Sequence, residues 1–255
     1  MSQVDKDRLV GARLKMRAVL ENAKAAGFRP ASIIDVGFAT GTTGLHDVWD
    51  DVRRLIIEPV AEAEPTMIRF CQEHPGASYE VAAASDAPGQ RAMAVRPQIS
   101  NSSFHIKLKG EHCEARMIPL VTLDELVVKH DLPGPYLLKL DVEGHELHVL
   151  RGALETCLPR TEMVIAEVGT WLDARPKGRA SMMDVFRFME DHGFSFYDII
   201  EPAYRPLDGA LYMFEAVFVR PDSILREKTS VRTAEQAAEN LKVKQARADA
   251  ALGQD

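Results

Sequence analysis

The chain has 255 residues, 46% hydrophobic and 27% charged, the make-up of a soluble globular protein long enough to bury one large core. A formal net charge of -7 gives no global attraction to polyanions, which disfavours a nucleic-acid partner. No uncharged apolar run approaches the ~18 residues that span a bilayer, and the opening from Met1 to Asp7 lacks the apolar core of a signal peptide, so a cytoplasmic protein without a membrane span is expected.

Residues 4–26 carry apolar side chains at Leu9, Val10, Leu14, Met16, Val19 and Leu20, with Gly27 as a stop, which predicts a leading helix covering one edge of a sheet. Ser32 to Gly37 and Leu55 to Glu58 read as strands with a short helix between them, a βαβ unit. The alternation continues with a helix near 62–74, a strand near Tyr79 to Val81, a strand opening the segment 137–143, and another over Met163 to Val168. Between Ser85 and Leu120, polar stretches around Gly89, Pro97, Gly110 and Pro119 separate β-like fragments, the pattern of a hairpin-rich insertion. Thr122 is an N-cap with Glu125 as its capping-box partner. After a helix near 181–192, Phe194 to Ile200 and Leu211 to Val219 form the last strands, joined by a loop containing Pro202, Tyr204 and Pro206 and finishing antiparallel.

The expected fold is α/β, a Rossmann-like, doubly wound, mostly parallel sheet with an antiparallel last strand. Three parts are expected: an N-terminal helical extension over 1–30, a catalytic domain over 31–221, and a helical or flexible tail over 222–255 that has almost no large apolar residues to bury. Cys71, Cys113 and Cys157 are too few and too widely spaced for a disulfide framework or a thiolate zinc site, and are read as reduced structural cysteines.

The most informative stretch runs from Leu137 to Ala153, where Lys139, Asp141 and Glu143 alternate with Leu138, Leu140 and Val142 before apolar residues resume at Leu147 and Leu150. Charges on a strand covered on both faces are costly unless they are paired or functional, and ligands of open α/β sheets bind outside the carboxyl ends of the strands. Asp141, Glu143 and His145 are therefore the catalytic candidates. Asp141 is first choice as a base for a hydroxyl acceptor, while His145 is as readily a helix-end residue.

A second constellation starts at Asp35. Gly37 and Gly41 let the backbone pass close to a ligand, and the Asp35 carboxylate can orient that loop or meet a cationic cofactor. Ala39 stands where a dinucleotide loop would have its second glycine, so a ligand without phosphates, such as S-adenosylmethionine, suits the loop better than a nicotinamide dinucleotide. Glu58, about twenty residues on, ends the second strand where a carboxylate takes ribose hydroxyls. Ser85 and Asp86, after the third strand, bound an adenine pocket or form an ordinary turn.

Asp35 to Gly41, Ile57-Glu58-Pro59, Ala84-Ser85-Asp86, Val121 to Leu126 and above all Lys139 to Ala153 together resemble the ordered signature of the FkbM-family methyltransferases, over roughly residues 31 to 169. The resemblance implies a class I methyltransferase domain, S-adenosylmethionine as donor, and O-methylation of a hydroxyl on a sugar, glycan or natural product. The family often has Gly-Ala-Asn in its first loop; this chain has Gly37-Phe38-Ala39 and so lacks one polar contact.

Glu167 is expected beside Asp141 if their strands pair, and such carboxylates could hold Mg²⁺, although a Lys139 or Arg151 counter-ion is favoured over a metal. Asn101 to His105 offers polar groups to a polyhydroxylated acceptor, and Trp171 could stack on a sugar or pack in the core. The competing readings are a nicotinamide-dependent sugar oxidoreductase and a non-catalytic Rossmann-like binding domain.

Overall fold

A computed structural model describes residues 14–105, 113–170 and 179–252 of the chain. Trp171 and the first part of the leading helix, with Leu9 and Val10, lie outside the described residues. The elements in chain order are α1 (Met16–Ala25), β1 (Ser32–Val36), β2 (Arg53–Ile57), α2 (Glu64–Glu73), β3 (Ala77–Glu80), β4 (Ala83–Ala84), β5 (Gly89–Val95), β6 (Glu114–Val121), α3 (Leu123–Lys129), β7 (Tyr136–Leu140), α4 (Glu146–Arg151), β8 (Thr161–Gly169), α5 (Met182–Asp191), β9 (Ser195–Tyr204), β10 (Leu211–Val219) and α6 (Ala234–Leu252).

Seven strands form one sheet in the order β3-β2-β1-β7-β8-β10-β9. The pairs from β3 through β8 are parallel, and β10 runs antiparallel to both β8 and β9. This is the doubly wound, mostly parallel sheet with an antiparallel finish that the strand pattern predicts. The expected insertion is there too: β5 pairs antiparallel with β6, and with β4 they make a separate three-stranded sheet.

Both faces of the large sheet are covered, and the strand period of two sorts its side chains. Ile34, Val36, Leu138, Leu140, Val164, Ala166 and Ala216 face one core, together with α3, α4 and α5. Ile33, Leu137, Met163, Ile165, Val217 and Val219 face the other, with Met16, Val19, Leu20 and Ala23 of α1. The leading helix therefore covers a face rather than the expected edge, because its apolar stripe meets the alternate residues of four central strands. On that same face, one step nearer the ligand end, the alternation brings up Asp35, Lys139, Glu167 and Glu215 from the four adjacent strands.

Two further expectations are corrected. No helix joins β1 to β2; residues 38–52 form turns and bends, with left-handed backbone at Gly37, Ala39, Gly41 and Gly44 (φ of 88°, 46°, 121° and 84°). Four such residues within one short stretch interrupt any helical run. Leu45, Val48, Trp49 and Val52 of this connection fill the space a crossover helix would occupy. Pro202 and Tyr204 lie within β9 instead of in the following loop, where register shifts in the β9–β10 ladder accommodate the proline. The capping box of α3 is present in full: Thr122 Oγ1 accepts from Glu125 N–H at 3.1 Å, and the Glu125 carboxylate accepts from Thr122 N–H at 3.1 Å. The described side chains of α6 are almost all exposed, as its composition requires.

Candidate active site

Two clefts open at the carboxyl ends of the parallel strands and share Gly37, Ala39, Ser100 and Asp141. The first has apolar walls from Ile57, Pro59, Ala83, Ala84, Met93 and Phe104 and carries Glu58, Glu143 and His145. The second is lined by hydroxyls of Thr40, Thr42 and Thr43 and by Lys15, Glu201 and Glu215. Gly41 belongs to the second cleft, while Asp35, Ser85, Asp86 and Glu167 line neither of them.

The end of β1 is built around close backbone approach. A Cβ on Gly37 would fall 1.8 Å from the Asp141 carbonyl oxygen, so glycine lets the ends of β1 and β7 lie against each other. Asp35 is fully buried and accepts from His46 Nε2–H at 3.0 Å. That bond ties β1 to the crossover loop, to which His46 belongs. Glu58 holds the same loop from β2: its Oε2 accepts from Ala39 N–H at 2.9 Å and its Oε1 from Val60 N–H at 3.0 Å. Burial dominates these bonds and pushes the Glu58 carboxyl up to about 7.

The turn after β7 carries the charges. Glu143 and Gly144 are both left-handed (φ 53° and 97°), which turns the chain at once into α4. Ser103 Oγ donates to the Glu143 carbonyl at 3.1 Å, tying the insertion to this turn. That bond, with those of Ser103 and Ser102 to the His105 and Arg96 backbone, gives the segment Asn101 to His105 a structural use, although Ser102, Ser103 and Phe104 still face the first cleft.

The charged row beneath Asp141 is an ion network. Lys139 is fully buried, with Nζ 3.1 Å from Glu215 Oε1 and 3.5 Å from Asp141 Oδ2. Burial opposes its charge, but the carboxylates of Asp141, Glu215, Asp35 and Glu167 outweigh burial and raise its pKa. Lys139 is thus the counter-ion of these acids. Leu140 pairs with Ala166, so Glu167 stands next to Asp141 as expected; burial first, then Asp141 and Glu143, pushes its carboxyl up to about 9. Among the described residues no three histidine, cysteine or acidic side chains are grouped to hold a metal ion.

Ser85 and Asp86 face α4. Ser85 Oγ lies 3.0 Å from His145 Nε2, and Asp86 accepts from His148 Nδ1–H at 2.9 Å. Two acids escaped the sequence reading. Glu146 is buried, accepts from Gly144 N–H at 2.9 Å and is pushed up to about 7 by burial. Glu215 is an acid isolated in the apolar run Leu211–Val219, and that isolation was the signal available for it.

The chain is 31% identical over 91 residues to the hexuronic acid methyltransferase AglP of Haloferax volcanii, a match covering 36% of each protein, so it spans about a third of that relative's length. Among solved structures, the methyltransferase FkbM from Methylobacillus flagellatus KT aligns with 13% identity and a TM-score of 0.49, covering 76% of this chain and 46% of that one. The magnesium protoporphyrin IX methyltransferase ChlM of Synechocystis PCC 6803 aligns with 13% identity and a TM-score of 0.44, over 86% and 88%. The family model for the methyltransferase FkbM domain matches residues 43–196, beginning after the Gly37–Gly41 loop and ending well beyond residue 169. That span is more than half of the chain, and the chain belongs to the FkbM methyltransferase family.

Proposed function

We propose that this chain transfers a methyl group from S-adenosylmethionine to a hydroxyl of a sugar, glycan or related natural product. The observation that carries the reading is Asp141, the carboxylate that lines both clefts, with one cleft suited to a nucleoside and the other rich in hydroxyls. The similarity to a hexuronic acid methyltransferase makes hexuronic acids the first acceptors to test.

The residues of the first cleft suit an adenosyl group. Each Glu58 oxygen accepts a single backbone N–H, which leaves lone pairs for the two ribose hydroxyls, and a carboxyl pushed up to about 7 by burial gains from such donors. The apolar walls suit the flat face of a base. When bound, the donor supplies an electrophilic methyl on a sulfonium. Around it Asp141, 38% exposed at its side chain, accepts the proton of the incoming hydroxyl, and Lys139 holds that carboxylate in place from below. Glu143, half-buried and 3.8 Å from Arg179, lines the first cleft with Asp141. Alignment of the acceptor supplies the rest of the rate, as in any in-line displacement.

A nicotinamide oxidoreductase fits less well. A dinucleotide pyrophosphate needs a helix N-terminus behind the first loop, and residues 38–52 form no helix.

The test uses labelled S-adenosylmethionine with a panel of hexuronic acids and glycans, the product being located by mass spectrometry. Asp141→Asn is expected to lower kcat by about 10²–10⁴-fold with donor affinity unchanged. Unchanged kcat would remove Asp141 from the role of base, and failure of the wild type to bind the donor would remove the cofactor.

A further inference from the structure

Strand β9 departs from regular pairing beside the second cleft. Ile200 pairs with Glu215 and Ala203 with Met213, so three steps on β9 face two on β10, and the extra residue makes a bulge at Glu201 and Pro202. Glu201 takes φ 48° there, left-handed backbone that such bulges ordinarily give to glycine. The bulge re-aims its side chain. Ile200 lies in the core beneath α1, and Glu201 turns to the start of that same helix instead of to the opposite face of the sheet.

Glu201 grips the segment before and at the helix start with three bonds. Its N–H donates to the Leu14 carbonyl at 2.8 Å, its Oε1 accepts from Met16 N–H at 3.2 Å, and its Oε2 accepts from Lys15 Nζ at 2.8 Å. Glycine at the bulge would keep the first of these without the cost of about 1–2 kcal/mol that left-handed backbone imposes on a residue with a Cβ. The ion pair is open to solvent, with Lys15 68% and Glu201 35% exposed at their side chains, and an exposed pair contributes only about 0–1 kcal/mol. The pair therefore adds no more to the fold than its own backbone costs. Strain kept at such a place points to use by a ligand, and both residues line the second cleft together with Asp141 and Glu215.

We propose that Lys15 and Glu201 form a hydroxyl-binding pair for the acceptor, taking two adjacent hydroxyls of a sugar in the second cleft. The inference rests on the reading of the acceptor as a sugar or glycan. The ammonium has three protons and gives one to Glu201, while each Glu201 oxygen has accepted one proton and keeps a lone pair. One hydroxyl thus accepts from Nζ while its neighbour donates to the carboxylate, and both bonds are charge-assisted. Both side chains are exposed, so a ligand reaches them without displacing core residues. Glu201 is a positioning residue as well: it holds Lys15 on the cleft that Asp141 lines, so that binding at the pair orients the sugar relative to the base.

The experiment uses the full chain with the panel of hexuronic acids and glycans. For the sugars that wild type methylates, Lys15→Met is expected to raise the acceptor KM about tenfold, with kcat within about threefold and S-adenosylhomocysteine affinity, read by calorimetry, unchanged. Lys15→Arg, which keeps a charged donor, should recover most of that loss. A monodeoxy series of the same sugar should contain a position whose loss raises KM about tenfold in wild type and less than about threefold in Lys15→Met. An unchanged acceptor KM in Lys15→Met overturns the inference and leaves the pair a support of α1, seen as a lower urea midpoint alone. So does a monodeoxy series without such a position. An equal loss of S-adenosylhomocysteine affinity also overturns it, since the pair would then serve the donor. Wild type that binds S-adenosylhomocysteine and methylates no member of the panel overturns the sugar reading and the inference with it.

Discussion

The two turns that frame the site, after β1 and after β7, both depend on left-handed backbone, but they divide the work in opposite ways. After β1 the side chains serve the backbone: Asp35 holds His46, and Glu58 accepts from Ala39 and Val60 so that the Gly37 to Gly44 loop keeps its shape. After β7 the backbone serves the side chains: Gly37 lets Asp141 approach, Ser103 holds the Glu143 carbonyl, and a single residue separates Asp141 from Glu143. The first turn thus presents main chain of Gly37 and Ala39 to the clefts, and the second presents the carboxylates of Asp141 and Glu143. The second turn is therefore the one whose stability depends on a counter-ion.

Lys139 is where that dependence is strongest, and its removal gives the largest expected effect. Lys139→Met keeps most of the side-chain volume but leaves Asp141 and Glu215 without the cation between them. Breaking a buried pair in this way costs about 3–5 kcal/mol, to be read from urea unfolding. Adding Glu215→Gln should recover part of the loss, since one of the stranded charges is then gone. A fall below about 1 kcal/mol in the single variant would mean that the network is as solvated as a surface pair, and the contrast between the two turns would fail.

The second prediction concerns pH. Glu146 has a folded pKa near 7 against an ordinary 4.5, because burial disfavours its charge. The folded state thus binds more protons than the unfolded state between those values, so this group contributes full stability at low pH and loses it as pH rises from 4.5 through 7. Glu146→Gln keeps an acceptor for Gly144 N–H and removes the ionisation. At pH 8 the variant should exceed wild type by on the order of 3 kcal/mol relative to their difference at pH 4, measured as urea midpoints across the range. Parallel wild-type and variant profiles would show that Glu146 is not held in its neutral form.

Much of the scaffold was legible in the chain, because strands and caps are local. The apolar run Tyr136–Leu140 needs no partner to be recognised, and the Thr122–Glu125 box closes within one turn. The short helix expected between β1 and β2 is absent because Gly37 and Gly41, which sequence alone marks only as permissive, take positive φ, as does Gly44, and so break the helical run. The site was legible only in its anchors. Asp141 and Glu58 stand at strand ends that any parallel sheet brings together. Ser85 meets His145 sixty residues away, and Glu215 reaches Lys139 because β10 inserts between β8 and β9. Neither contact leaves a mark in local sequence, since both depend on the order of strands in space.

The smallest expected effect isolates the geometry of the charged turn from its charge. Glu143 adopts φ 53°, a conformation that costs a residue with a Cβ about 1–2 kcal/mol, while glycine adopts it freely. Its carboxyl is also raised by burial and by Asp141, so its ionised form gains little from its place, and the Arg179 pair at 3.8 Å is partly exposed. Glu143→Gly should therefore stabilise the fold, though glycine's greater freedom in the unfolded chain leaves a net gain of only about 0.5 kcal/mol. The same variant should lower turnover if the side chain is retained for the reaction. A rise in the urea midpoint with a drop in kcat would identify Glu143 as a strained residue kept for function. A fall of more than about 1 kcal/mol would make its side chain a structural support of the turn, as Glu58 is of the other, and the division of labour between the two turns would no longer hold.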